Sequence, residues 1–131
     1  MKMQTDYGRL PDAELEIMQV LWEHETMLSR PEIETYLREK GLDWNTSTVN
    51  SLLSRLKTRG FLRAEKEGKK YFYKTLVSEE EYLQTESRKF LTKLFRGKTV
   101  NFIAALVEGN QISEEEFEEL EEFLNQRKEN L

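Results

Sequence analysis

A helical stretch with one polar face, halted by a glycine and followed at once by a hairpin of alternating residues, predicts a mainly α fold carrying one small β-hairpin. The stretch is Asn45–Arg59, halted at Gly60; the strands are Phe61–Glu67 and Lys70–Leu76, folded back at Gly68–Lys69. Charge is the third observation. Between Asn45 and Lys74 the chain holds eight Lys/Arg (Arg55, Lys57, Arg59, Arg63, Lys66, Lys69, Lys70, Lys74) against Glu65 and Glu67. That segment is therefore +6 in a chain of −5, which leaves −11 elsewhere. A local positive patch on an acidic chain points to a helix in a DNA groove with a flanking wing.

The elements follow in order. Leu10–Trp22 reads as a first helix, with Leu10, Leu15, Met18, Leu21 and Trp22 at helical spacing toward a core. Ser29–Arg30–Pro31–Glu32 opens a second: Ser29 is a good N-cap, Glu32 completes a capping box and proline is tolerated in the first turn. Ile33, Tyr36 and Leu37 form its inner stripe and Gly41 stops it. The third helix runs from Asn45 to Gly60 with Val49, Leu52, Leu53 and Leu56 inward. In the hairpin, Tyr71, Tyr73 and Thr75 alternate with Phe72, Lys74 and Leu76, and Gly68 supplies the positive φ of a tight reversal. Three helices and a hairpin in this order make a winged helix-turn-helix, placed at residues 1–76.

Residues 77–131 read as helical again. Ser78–Glu81 is a capping box opening a helix that carries Tyr82, Leu83, Phe90, Leu91, Leu94 and Phe95, interrupted by Gly97. Val100, Phe102, Ile103, Leu106 and Val107 form the next, closed by Gly109. Ser113–Glu116 caps the last, with Phe117, Leu120, Phe123 and Leu124 on one face. Three such helices make a poor globule alone but would bury their stripes well against a twin, which predicts a dimerisation domain. The charge agrees: residues 1–76 are +1 and residues 77–131 are −6, so the second half should not meet phosphate.

Composition narrows the classes. At 131 residues there is room for one domain, or a small domain with an arm. The absence of cysteine excludes disulfides, thiol redox chemistry and thiolate metal sites, and fits a cytoplasmic protein. No stretch reaches the roughly 18 apolar residues that span a bilayer, so no membrane insertion is expected. The opening Met1–Tyr7 lacks an apolar core, so no secretory signal is expected there. There is no phosphate-binding glycine loop, no nucleophile elbow and only one histidine, His24, read as an exposed helix-end residue. The glutamates from Glu114 to Glu122 lack the loop glycine and ligand spacing of a calcium motif and read as a solvated face. The expectation is therefore no enzyme, no cofactor and no metal.

Four segments stand out together: Leu10–Met18, Trp44 ahead of Thr48–Leu56, Leu76–Tyr82, and Glu86–Ser87 followed by Phe90–Leu91. In these the chain resembles the BlaI/MecI family of penicillinase and methicillin-resistance repressors. The resemblance covers roughly residues 8 to 125. It implies a homodimeric winged-helix repressor on a palindromic double-stranded operator. It also implies, in the antibiotic-resistance members, a membrane sensor protease system and cleavage at an Asn–Phe bond; here the matching pair is Asn101–Phe102. Copper-responsive members carry a cysteine-rich tail, which a cysteine-free chain cannot reproduce. Relatives place basic residues in the first turns of the recognition helix, where this chain has Ser47 and Asn50, so its operator preference should differ.

On this reading the third helix enters the major groove with Thr46, Ser47, Thr48, Asn50, Ser51, Ser54 and Arg55 toward the DNA. Asn50 and Arg55 are the first choices for base contact, since Asn pairs bidentately with adenine and Arg with guanine. Lys57, Arg59 and Arg63 would contact the backbone, and Lys69 and Lys70 at the wing tip would reach phosphate or minor groove. Ser29 and Thr46 stand at helix N-termini able to hold phosphates. The dimerisation residues are Tyr82, Phe90, Leu91, Leu94, Phe95, Phe102, Ile103, Leu106, Phe117, Leu120, Phe123 and Leu124. The bland alternatives are a solvated helix face, hairpin charges that block edge pairing, and an ordinary packed helix at Asn101–Phe102. The alternative of another class is a winged-helix adaptor that binds protein and no DNA.

Overall fold

The computed structural model describes residues 8–131, so the expectation for Met1–Tyr7 lies outside the described residues. The described residues form α1 (Asp12–Glu23), β1 (Leu28–Ser29), α2 (Arg30–Glu39), α3 (Thr46–Thr58), β2 (Leu62–Glu67), β3 (Lys70–Thr75), α4 (Glu79–Phe95), α5 (Thr99–Glu108) and α6 (Glu114–Glu129). The chain divides into two compact units at Glu86/Ser87.

The first unit is the winged helix. Ile17, Met18, Val20 and Leu21 of α1, Ile33 and Leu37 of α2, and Val49, Leu52, Leu53 and Leu56 of α3 are buried together with Leu10, Phe61 and Leu62. Each such side chain contributes about 1.5–3 kcal/mol of burial. Asn45 caps α3 by accepting from the Thr48 N–H at 2.8 Å, and Ser29 and Glu32 form the expected capping box on α2. The hairpin runs in register from Leu62↔Thr75 to Glu67↔Lys70. Gly68, at φ 64, takes the first loop position; no positive φ occurs at Lys69, which is the type II′ pattern.

The sequence did not disclose β1. Its two residues pair antiparallel with β3, Leu28↔Tyr73 and Ser29↔Phe72, giving a three-stranded sheet in the order β1-β3-β2. A two-residue strand has no period to detect.

The boundary expected at residue 76 moves ten residues onward. Val77 is fully buried, and its carbonyl accepts from Trp22 Nε1 at 2.9 Å. Tyr82, expected on the dimerisation face, lies instead in the first core: its ring packs on Trp22 and Phe61, and its hydroxyl accepts from the Leu10 N–H at 2.9 Å. The opening of α4 thus belongs to the winged helix because Val77 before it and Tyr82 within it fill that core, while Leu83 stays exposed. Ser78 Oγ accepts from the Glu81 N–H at 3.1 Å, the donor end of the capping box expected there. His24 is also more engaged than its sequence suggests, with Nδ1 2.7 Å from the Val20 carbonyl and its ring stacked on Tyr36.

The second unit is built differently. Phe90, Phe95 and Phe102 form a triangle with ring centroids 5.3 to 5.9 Å apart. Yet no residue of α5 or α6 is fully buried, and Leu94, Phe123 and Leu124 are more than half exposed. The break between α4 and α5 uses two left-handed residues, Arg96 and Gly97. Gly109 closes α5 as its C-cap, as expected, but at an ordinary negative φ; the left-handed position follows at Asn110, φ 57. Asparagine tolerates that region better than other non-glycine residues.

Burial pushes the Tyr82 phenol above its ordinary range, opposed by the Leu10 N–H and reinforced by Glu86. A raised phenol stabilises the fold fully below the unfolded value of about 10 and ceases to do so as pH rises through the folded value. Tyr82→Phe leaves the Leu10 N–H without its acceptor and should cost about 1–3 kcal/mol near neutral pH. It should also remove this part of the alkaline loss above about pH 10. Urea unfolding followed by tryptophan fluorescence checks both.

Candidate nucleic-acid interface

The core stripe of α3 sets which of its residues face out. At about 100° per residue, Val49, Leu52, Leu53 and Leu56 occupy one side. Ser47, Ser51, Ser54 and Thr58 then form the ridge opposite, with Asn50 and Lys57 on one flank and Thr48 and Arg55 on the other. All eight are exposed. Thr58 was not singled out from sequence; its spacing from Ser47, Ser51 and Ser54 would have revealed it.

Several predicted contact residues are engaged within the chain. Arg59 pairs with the buried Glu14 at 3.0 Å, donates to the Arg9 carbonyl at 3.2 Å and lies over the Phe61 ring at 5.2 Å. Its guanidinium ties the end of α3 to α1, which gives it a structural role in the core. Thr46 donates its hydroxyl to Glu34 Oε2 at 2.9 Å, which joins the start of α3 to α2. Arg63 pairs with Glu65 beside it on β2.

The wing residues keep to their predicted places. Lys69 and Lys70 are exposed at the tip, and Tyr71 is 52% exposed beside Lys66, whose ammonium lies 5.8 Å from its ring centroid. The register puts Tyr71 and Tyr73 on the sheet face that also carries Leu62 and Ala64. Near the core that face is packed; toward the tip it opens on a cleft of about 410 Å³. Ser29 and Arg30 at the start of α2, Asn50 of α3, and Lys69, Lys70 and Tyr71 of the wing line it. Lys70 and the α2 N-terminus interact electrostatically. The Glu32 carboxyl is held below its ordinary range by the Ser29 N–H first, the Ser29 hydroxyl next, and Lys70 among the smaller causes.

Sequence reasoning chose Asn50, Lys69 and Lys70 but missed Arg30 and Tyr71 on the same cleft. The hairpin alternation placed Tyr71 and Tyr73 on one face, which was signal enough for Tyr71. Nothing local marked Arg30, because its position depends on how α2 crosses α3. Among the described residues no group of three or more His, Asp or Glu is placed to hold a metal ion, and no helix is long and apolar enough to cross a membrane.

A polar ridge on the third helix, a hairpin with a lysine tip and a cleft between them define a winged helix-turn-helix protein. The penicillinase repressor family matches residues 10–126, and the chain belongs to that family. The penicillinase repressor of Bacillus licheniformis is 31% identical over 120 residues, 92% of either chain. The methicillin resistance regulatory protein MecI of Staphylococcus aureus (strain N315) is 30% identical over 125 residues, 95% of this chain and all of that one. The solution structure of the DNA-binding domain of the repressor BlaI covers 63% of this chain and 94% of its own, at 33% identity and a TM-score of 0.51.

Arg59→Ala would leave Glu14, only 3% exposed, as an unpaired buried carboxylate. Breaking a fully buried pair costs roughly 3–5 kcal/mol. The Arg59 side chain is 31% exposed, so solvent screening brings the expected loss to about 2 kcal/mol. The double variant Glu14→Gln/Arg59→Ala should recover part of it, measured by urea unfolding.

Proposed function

We propose that the chain is a cytoplasmic, homodimeric transcriptional repressor, without catalytic activity, that binds a palindromic duplex operator. The exposed α3 ridge enters the major groove, and the wing lysines hold the backbone. The observation that carries this reading is the separation of roles on α3: one face is wholly apolar and buried, while Ser47, Asn50, Ser51, Ser54 and Arg55 are exposed with no partner role in the core. Asn50 and Arg55 lie on opposite flanks, suited to bases on either side of the helix axis. Family membership supports the reading, as does the similarity to a repressor's DNA-binding domain.

Dimerisation rests on the second unit. Phe117, Phe123 and Leu124 of α6, with Leu94 of α4 and Val100 of α5, are exposed apolar residues that a monomer leaves in water. Phe90, Leu91, Phe95, Phe102, Ile103, Leu106 and Leu120 complete the predicted dimerisation surface. A twin chain would present two recognition helices about 34–36 Å apart, one turn of B-DNA.

Release by a membrane sensor protease system, through a cut at Asn101–Phe102, completes the proposal. Asn101 is exposed and Phe102 partly so, both in the first turn of α5. The Lys98 cap has no side-chain hydrogen bond, and the Phe102 N–H reaches the Lys98 carbonyl only at 3.4 Å. A protease needs extended backbone, and an uncapped first turn opens more readily than the boxed starts of α2 and α6.

Binding of a duplex from upstream of the protein's own gene should weaken with salt at a log–log slope of about −0.9 per phosphate neutralised. Lys69→Ala should weaken all duplexes alike and lower that slope by about 1, whereas Asn50→Ala should narrow the gap between operator and scrambled DNA. Fluorescence anisotropy reads both; wild-type behaviour of the two variants would refute the docking. The full chain should sediment as a dimer and a chain ending at Asn101 as a monomer, with operator affinity lower by about 10²-fold or more. Cells given a cell-wall antibiotic should yield the same fragment on a blot, and persistently intact protein would remove the proteolytic step.

A further inference from the structure

Arg30 is the one basic residue of the cleft whose side chain is fastened from within. Its Nε donates to Glu34 Oε1 at 3.1 Å, while Glu34 Oε2 accepts from the Thr46 hydroxyl at 2.9 Å. The Glu34 side chain is 10% exposed and the Arg30 side chain 36% exposed. A carboxylate so largely withdrawn from water relies on both partners. This one therefore fixes two things together: the start of α3, through Thr46, and the direction of the Arg30 fork. Pairing at Nε leaves the two terminal nitrogens, a planar pair of donors suited to phosphate oxygens. Arg30 lines the cleft together with Asn50, Lys69 and Lys70.

We propose that this cleft receives one phosphodiester of the duplex, held by the Arg30 fork on one side and the wing lysines on the other, with Glu34 as the positioning residue. The assignment rests on the DNA-binding reading above. The occupant follows from chemistry: three cations from two elements converge on one concavity beside Asn50, a candidate base reader. A backbone phosphate next to a contacted base is the anion that would lie there. The bland alternative is that Arg30–Glu34 is an ordinary pair one helical turn apart, which steadies the helix slightly and contributes nothing to DNA. The burial of Glu34 and its second bond to Thr46 distinguish it from such a pair.

The test is anisotropy titration of full-length protein with a fluorescein-labelled duplex from upstream of its gene, across a potassium chloride series. Arg30→Ala should weaken binding about tenfold or more, and the salt slope should shrink by about 0.9, one phosphate. Arg30→Lys keeps the charge but loses the fork and the Nε bond, so the slope should stay while affinity falls. Glu34→Gln should resemble Arg30→Lys, with a circular dichroism melt reporting its fold. If Arg30→Ala matches wild type in affinity and slope while Lys69→Ala does not, the phosphate assignment is overturned and the DNA-binding reading stands. If Arg30→Lys binds as wild type, the positioning role is overturned. If Asn50→Ala, Lys69→Ala and Arg30→Ala all behave as wild type, both readings fall together.

Discussion

The apolar stripe of α3 is the constraint on which the candidate interface depends. Val49, Leu52, Leu53 and Leu56 are buried against α1, α2 and the sheet. Rotating the helix by one residue would carry a leucine into water and a serine or asparagine into the core, at a cost of several kcal/mol. The polar ridge is therefore aimed by what lies behind it. The same packing explains why α3 can be so plain on its outer face. Its serines and threonines are mediocre helix formers, but the buried side, the Asn45 cap and the Thr46–Glu34 bond supply what propensity does not.

Buried carboxylates sort the basic residues into two groups. Glu14 takes Arg59 and Glu34 takes Arg30, one near the end of α3 and one near its start. The first pair is completed by a backbone carbonyl and an aromatic face, so Arg59 has little left to offer a ligand. The second is completed by a threonine, and Arg30 keeps its terminal nitrogens. Net charge on the Asn45–Lys74 segment therefore overstates what reaches phosphate: Arg59 and Arg63 are paired with glutamates, whereas Lys57, Lys69 and Lys70 have no ion pair among the described residues.

The elements legible in the sequence were those with strong local grammar. The α2 capping box, the α3 stripe between Asn45 and Gly60, and the Gly68 reversal all occur where spacing placed them. What escaped was decided over long distance. β1 exists because Leu28 and Ser29 meet Tyr73 and Phe72, more than forty residues on. Tyr82 has the same helical spacing as the exposed Leu83 to Leu94 stripe, and only the Leu10 N–H and the Phe61 ring distinguish it. Arg59 carries the same charge as Lys57; a buried glutamate 45 residues earlier makes it structural. Local pattern thus yields elements and faces, while the partition of a face into structural and free side chains is a property of the packed core.

In the proposed DNA-bound dimer the two units would respond to ionic strength in opposite senses. The proposed contacts from Lys69, Lys70 and Arg30 to phosphate would be lost as salt rises, through counterion release. In the proposed dimer, however, two copies of α6 approach, each with eight glutamates against Arg127 and Lys128, a net −6 per helix. Their repulsion is screened within a Debye length of about 8 Å at physiological salt, whereas burial of Phe117, Phe123 and Leu124 is not weakened by it. On that proposal, added salt would tighten association of the chains while loosening their hold on DNA. At protein concentrations near the dimer dissociation constant the first effect offsets part of the second, and the apparent slope understates the number of phosphates held. Only well above that concentration does the slope count the wing and cleft contacts themselves, because only there is every operator met by a chain already paired.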